Sequence, residues 1–386
     1  MRKNSYPQQG YRYSRLAISG AKLMEKFFPR PPLGKGVLED ESPTILFIEL
    51  FGLGDVASLS VTFDPLLRRF PKAKIHILCQ PAWASFYAND FRVFKVDEMR
   101  TPWKSSFAQL TSWSAWASVM QTLRRMQKIK FDWCIETRGD IRSQIVARWI
   151  QPKRLVGPLD YMGSNMILRG DLLSDRIGSL PIQHRYERNC DCLTPILGEA
   201  AKISIPSLLR NAKKVPLGGL PRLLIHPAGG WKYKHWPEKR WRLLLIDLLK
   251  KKDWEVGLLC APGEEGCIER ISGGISVRVE TPPLVELLST IQSYDAMVAT
   301  DSGPINLAIL SGMPVVDIMG PGDSTLWGPF LGRGVLLQNV SNYPCHPCLQ
   351  RKCFFPSNPC IQQIHGEDVK NALERVREQI GERPPH

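Results

Sequence analysis

Three short segments place small, acidic and basic residues directly after apolar runs. In ELFGLGDVASLS, Gly52, Gly54 and Asp55 follow TILFIEL; in HPAGGWKYKHWPEKRW, Gly229, Gly230, Lys232 and Lys234 follow PRLLI; in ATDSGPINLAILSGMPVV, Asp301, Ser302 and Gly303 close YDAMVAT. Glycine after a strand lets the backbone turn tightly and approach a ligand, and the next helix offers free N–H groups that suit phosphate oxygens. Lys232 and Lys234 add positive charge, which fits a pyrophosphate better than a neutral ligand. Asp55 reads equally as a structural N-cap or as a general base. An ordinary capped turn explains Asp301 and Ser302, but not the repetition of one device in three loops. GLGD lacks the third glycine of a dinucleotide fingerprint, since Ala57 stands there, so an oxidoreductase is weakly supported.

Elements must position these loops. Apolar runs of strand length, TILFIEL, KIHILCQ and FDWCIET, alternate with helical stretches such as ASLSVTFDPLLRRF and IRSQIVARWI, and PRLLIH, WEVGLLC, YDAMVAT and MPVVDIM repeat the pattern. Alternation of this kind predicts parallel sheets whose ligand crevice lies at the carboxyl ends of the strands. The expected architecture is α/β, two facing Rossmann-like domains with a cleft between them. Residues 1–42 read as a basic extension, 43–212 as the N-terminal domain and 213–386 as the C-terminal one. Length supports this division, because 386 residues suffice for two cores. The Trp-rich stretch from Trp103 to Trp116 fits a packed helix better than a saccharide-stacking wall.

Fifty-one Lys and Arg against 37 Asp and Glu give a net charge of +14, which favours an anionic partner. No nucleic-acid motif accompanies the charge, so nucleic acid is not expected. SRLAISGAKLMEKFF, within the basic extension, has helical periodicity and suits either an anionic membrane surface or packing on the protein itself. No run approaches the length of a membrane span and no secretory leader is visible, so the chain is expected in the cytoplasm, peripheral on the inner face of its membrane. Cys345, Cys348, Cys353 and Cys360 have a spacing that would permit a structural metal, with free thiols or a local disulfide as the alternatives.

Taken in order, ILFIELFGLGDVASLSVTFDPLLRRFPKAKIHIL, HPAGGWKYKHWPEKRW, ATDSGPINLAILSGMPVVDIMGPGDSTLWGP and CHPCLQRKCFFPSNPC resemble the lipopolysaccharide heptosyltransferases, glycosyltransferase family 9, over about Thr44 to Val376. The resemblance implies the GT-B fold and an inverting transfer of a heptose or related sugar. The donor would be an ADP-sugar and the acceptor a lipid-linked or core oligosaccharide, with no cofactor required. Asp55 matches the family's catalytic base. Lys234 matches the Lys on the donor phosphates, with Lys232, Gly229, Gly230, Ser302 and Gly303 around it. Glu264 or Glu265 falls where an acid meets the ribose, and Asp301 where one meets the donor sugar.

Gly52, Gly54, Arg138 and Arg142 would serve the acceptor side. The family usually has His where this chain has Asn306, and a basic residue where it has Glu49, which puts a negative charge beside a site expected to welcome anions. In GT-B proteins the terminal helix, here EDVKNALERVREQI, commonly returns to the first domain. The rival readings are a non-catalytic glycan-binding relative at the membrane surface and a GT-B nucleotide-sugar epimerase.

Overall fold

A computed structural model describes residues 41–104, 111–158, 175–177, 183–203, 219–330, 332–343, 345, 346, 348, 353, 355 and 357–380. Residues 1–40 of the basic extension, the domain boundary near residue 212 and most of NAKKVPLGGL lie outside them.

The chain divides into two compact units, one carrying the first six strands and one the last six. In the first, β1 (Thr44–Glu49), β2 (Lys74–Cys79), β3 (Lys95–Glu98), β4 (Trp133–Ile135), β5 (Arg154–Pro158) and β6 (Asp175–Ile177) form a parallel sheet in the order β3-β2-β1-β4-β5-β6. In the second, β7 (Arg222–His226), β8 (Glu255–Leu259), β9 (Arg278–Glu280), β10 (Ala296–Thr300), β11 (Val315–Ile318) and β12 (Val335–Leu337) form another, in the order β12-β11-β10-β7-β8-β9. Counted from its own first strand, each sheet has the same doubly wound order. Each therefore reverses direction at one point, between β1 and β4 in the first and between β7 and β10 in the second. Ligands bind at such a switch point, outside the carboxyl ends of the strands.

Central strands are apolar on both faces because helices cover both. Ile45, Leu46, Phe47 and Ile48 of β1 are buried, as are Met297, Val298 and Ala299 of β10. The helix Gly366–Glu378 puts Val369, Ala372, Leu373 and Val376 into the core of the second unit, with Leu223, Val298 and Val316. Its apolar face is thus satisfied within its own unit, which corrects the expectation that it returns to the first domain.

The Trp-rich stretch forms a short turn, Pro102–Lys104, and the start of the helix Trp113–Gln127, whose N-cap Ser112 accepts from the N–H of Ala115. Trp103 and Trp116 meet with ring centroids 6.1 Å apart, whereas Trp113 is 86% exposed. Packing therefore accounts for part of the stretch only. Among the described residues no helix is long and apolar enough to cross a membrane.

Candidate active site

At the switch point of the first unit, β1 runs into Gly52, which caps the short helix Leu53–Ser58. The Gly52 N–H donates to Oδ2 of Asp55 at 3.1 Å, closing the turn on the carboxylate, and Gly54 is buried in the helix. Oδ1 of Asp55 pairs with the guanidinium of Arg138, from the loop after β4, which lies 3.7 Å from the ring centroid of Phe51. One carboxylate is thereby gripped from both strands that flank the switch point. Arg142 instead binds its neighbour Asp140, through Nε at 3.0 Å and Nη2 at 2.6 Å, while Asp140 caps the helix Ile141–Ile150.

Buried acids support this loop pair. Glu49, at the end of β1, accepts the Phe51 N–H at 3.0 Å and the Nη2 of Arg185 at 3.1 Å. Arg185 also donates to the carbonyl of Thr137. The negative charge expected of Glu49 is thus compensated by a buried cation rather than presented to a ligand.

Glu136 accepts three backbone N–H groups, from Arg138, Gly139 and Asp140, at 3.1, 2.8 and 3.1 Å. Burial, then the charges of Asp140 and Glu49, push its carboxyl up to about 8 against the pull of those N–H groups.

In the second unit the loops after β7, β8 and β10 converge. His226, at the end of β7, places Nδ1 3.1 Å from Oγ of Ser302 and Nε2 3.0 Å from Oε2 of Glu264. Lys234 sets Nζ 2.6 Å from Oδ2 of Asp301. The carbonyl of Gly229 accepts from Nε2 of His235 at 2.6 Å, and an added Cβ there would make ordinary van der Waals contact with Oγ1 of Thr300, at 3.6 Å.

Glu264 also accepts the Ala261 N–H at 3.0 Å, and Glu265, its exposed neighbour, accepts only locally, from Gly263 at 3.1 Å. Of the two acids named from the sequence, Glu264 is the one tied to the other loops. Its carboxyl stays below the usual range although burial opposes this, because His226 and the Ala261 N–H favour the anion.

Ser302 is the N-cap and Gly303 the first residue of the helix Gly303–Leu310, whose first turn has N–H groups with no acceptor within the helix, Pro304 contributing none. Asn306, one turn in, donates from Nδ2 to the Ser302 carbonyl at 2.9 Å. Lys232 lies over the Tyr233 ring at 5.1 Å, and Gly230 has open space where a Cβ would be.

Residues 116–358 match the model of glycosyltransferase family 9 (heptosyltransferase). The chain belongs to this family. It is 23% identical over 322 residues to lipopolysaccharide heptosyltransferase 1 of Pseudomonas aeruginosa, with 81% of this chain and 87% of that one covered. Among solved structures it is similar to E. coli heptosyltransferase WaaC with ADP, at a TM-score of 0.69 and 19% identity over 86% of this chain and 99% of that one. A glycosyltransferase family 9 structure from Veillonella parvula matches at a TM-score of 0.66 and 16% identity, covering 89% and 100%. The fold is accordingly of the GT-B type and the chain is a glycosyltransferase of the heptosyltransferase kind.

His226, Glu136, Arg185 and Asp317 were not among the residues singled out in the sequence. His226 stood in view, as the polar residue ending LLIH. Arg185 had no local signal, since its partner Glu49 lies 136 positions away.

The four cysteines line one small cavity together with Trp231, Tyr233 and His346. Burial, then the neighbouring Cys353, Cys348 and Cys345, push the Cys360 thiol up to about 11. All four are free thiols, and among the described residues no three His, Cys, Asp or Glu side chains are placed to hold a metal ion. The structural metal that their spacing would permit is thus not supported by the described residues. Their segment touches the Lys234 loop through Asn358, whose Nδ2 donates to the Tyr233 carbonyl at 2.8 Å.

Proposed function

We propose that this glycosyltransferase moves a heptose or a closely related sugar from an ADP-sugar to a hydroxyl of a lipopolysaccharide core acceptor, with inversion at the anomeric carbon. The observation that carries the reading is the convergence of Lys234, Asp301, Ser302, Glu264 and His226 at the switch point of the second sheet. It joins a cation and a helix N-terminus, for phosphates, to two acids, for hydroxyl groups. The relatives support the nucleotide: one E. coli neighbour is described with ADP and another with ADP-2-deoxy-2-fluoro heptose.

Asp55 is the base. The Gly52 N–H donates to Oδ2 and Arg138 pairs with Oδ1, so the acceptor hydroxyl meets the carboxylate in exchange for or beside Arg138. As the hydroxyl oxygen bonds to the anomeric carbon, its proton passes to Asp55 and the bond to the diphosphate oxygen breaks with its electron pair. The negative charge that grows on the leaving diphosphate is met by Lys234 and by the backbone N–H groups at the start of Gly303–Leu310. Glu264 binds the ribose hydroxyls and Asp301 the sugar. The acceptor binds through Arg138 and Arg142, and the protein works at the inner face of the cytoplasmic membrane, where its basic character favours anionic lipid.

The test is transfer from ADP-heptose to a heptose-free core oligosaccharide, with Asp55→Asn as the comparison. Turnover is expected to fall by about 10²- to 10⁴-fold in the variant, with ADP affinity unchanged. Equal turnover by both proteins would remove Asp55 as the base, and no transfer by the wild type from any ADP-sugar would remove the donor assignment.

A further inference from the structure

A third carboxyl group lies beneath the Lys234–Asp301 pair. Asp317 is the third residue of β11, which pairs Ala299 with Asp317 and Thr300 with Ile318, so it sits one strand over from the end of β10 that delivers Asp301. It is 0% exposed, and among the described residues neither of its carboxyl oxygens has a hydrogen-bond partner. Asp301 is nearly as buried, and its Oδ2 meets Lys234 at an angle too poor for a hydrogen bond, so their contact is an ion pair only. The elements packed on β11 bring few other charges. The helix Gly366–Glu378 turns Val369, Ala372, Leu373 and Val376 inward, the helix Gly303–Leu310 carries no ionisable side chain, and the partner of Asp317 on β12 is Leu336. Among the described residues, the ionisable groups that act on Asp317 are Asp301 and Lys234.

An ionised carboxylate with no donor, in a wholly buried position, is among the most expensive arrangements a protein can hold, and such a group keeps its proton instead. Burial and then the charge of Asp301 raise the Asp317 carboxyl well above the usual range, with only Lys234 opposing. The charge count follows. With Asp317 neutral, Lys234 and Asp301 cancel; with Asp317 ionised, the same three groups carry one net negative charge facing an incoming diphosphate.

We propose that Asp317 is a positioning residue held as the neutral acid, whose proton keeps Lys234 available to the donor diphosphate, so that nucleotide binding is linked to protonation at β11. This rests on the reading of Lys234 as the phosphate contact. Because the anion prefers the protonated form, affinity is highest at low pH and falls as pH rises through the Asp317 transition. The substitution Asp317→Asn puts in its place an amide close in shape to the neutral acid but unable to ionise.

The experiment is calorimetric titration of ADP into the full-length wild type and Asp317→Asn across neutral and alkaline pH. The ionisation of ADP itself is common to both proteins, so the ratio of their dissociation constants reports on residue 317 alone. The ratio is expected to start near one and to widen at alkaline pH by on the order of tenfold in favour of the variant, the scale of one charge at short range. A ratio that is flat across pH overturns the proposal while leaving the nucleotide reading intact. Absence of ADP binding at every pH overturns that reading and this proposal with it. Should the variant fail to fold, the wild type still decides. At alkaline pH, where Asp317 of the free protein loses its proton, binding measured in two buffers of different ionisation heat should take up protons, and binding without uptake anywhere across that range sinks the idea.

Discussion

Glu49 and Arg185 form a buried ion pair, with Nη2 to Oε2 at 3.1 Å and both side chains almost wholly removed from solvent. The same Glu49 accepts the Phe51 N–H, so the pair fixes the chain just before the turn that carries Asp55. Burial leaves the Arg185 guanidinium below its ordinary value, although the nearby Glu49 opposes this.

Removing one partner strands the other charge. Arg185→Leu is expected to destabilise the protein by about 3–5 kcal/mol, while Glu49→Gln with Arg185→Leu should lose less than the two single changes added together. Urea unfolding of the three variants checks this, and strict additivity would show that the pair is not coupled.

Lys234→Gln removes the cation nearest the proposed diphosphate and leaves Asp301 without its counter-charge. ADP affinity should fall by about tenfold to a hundredfold, the worth of one charge-assisted hydrogen bond of about 1.5–3 kcal/mol. Titration calorimetry measures it. Lys232→Gln, from a side chain resting on Tyr233, should lose less.

Gly322 is packed against the same cluster, since a Cβ there would stand 2.3 Å from Oδ2 of Asp301 and 3.2 Å from the sulfur of Met319. Gly322→Ala should therefore displace Asp301, lowering both stability, by about 1–3 kcal/mol, and ADP affinity. Gly230→Ala is the control for stability, because among the described residues nothing lies within 4 Å of the added methyl. A fall in ADP affinity without a fall in melting temperature at that position would mark Gly230 as a ligand contact.

Glu136 makes stability depend on pH. Its carboxyl titrates at about 8 in the folded protein against 4.5 as its ordinary value, so the unfolded chain gives up this proton first. Its contribution is fully present below the ordinary value and is lost as pH rises through about 8. Between about pH 5 and about pH 9 the melting temperature of Glu136→Gln should fall less steeply than that of the wild type. Parallel curves would mean that Glu136 is ionised throughout.

Most of the central strands, though not their order within each sheet, were legible because they are continuous apolar runs, which burial on both faces demands. The edges were not: KVDE of β3 and RVE of β9 are short and charged, and pairing with β2 and β8 rather than any local pattern makes them strands. The three loops could be read because glycine, lysine and acidic residues punctuate the strand ends. What holds them could not. His226 looked like the end of a strand until the loops carrying Glu264 and Ser302 were brought to it, and Asp317, inside PVVDIM, reads as an interruption rather than a site. Glu264 and Glu265 are adjacent in sequence, and only the start of the helix Glu265–Ser272 separates the acid that turns inward from the one that faces solvent.

The imidazole of His226 also decides which way a hydrogen points. Glu264 is ionised near neutral pH and can only accept, so Nε2 must carry the hydrogen in the neutral ring and Nδ1 must present a lone pair. The Ser302 hydroxyl then spends its one hydrogen on Nδ1 and turns lone pairs to its surroundings. An anion arriving at this turn is offered main-chain hydrogens and not the hydroxyl's, so the side chain of residue 302 would orient the loop while its backbone does the holding.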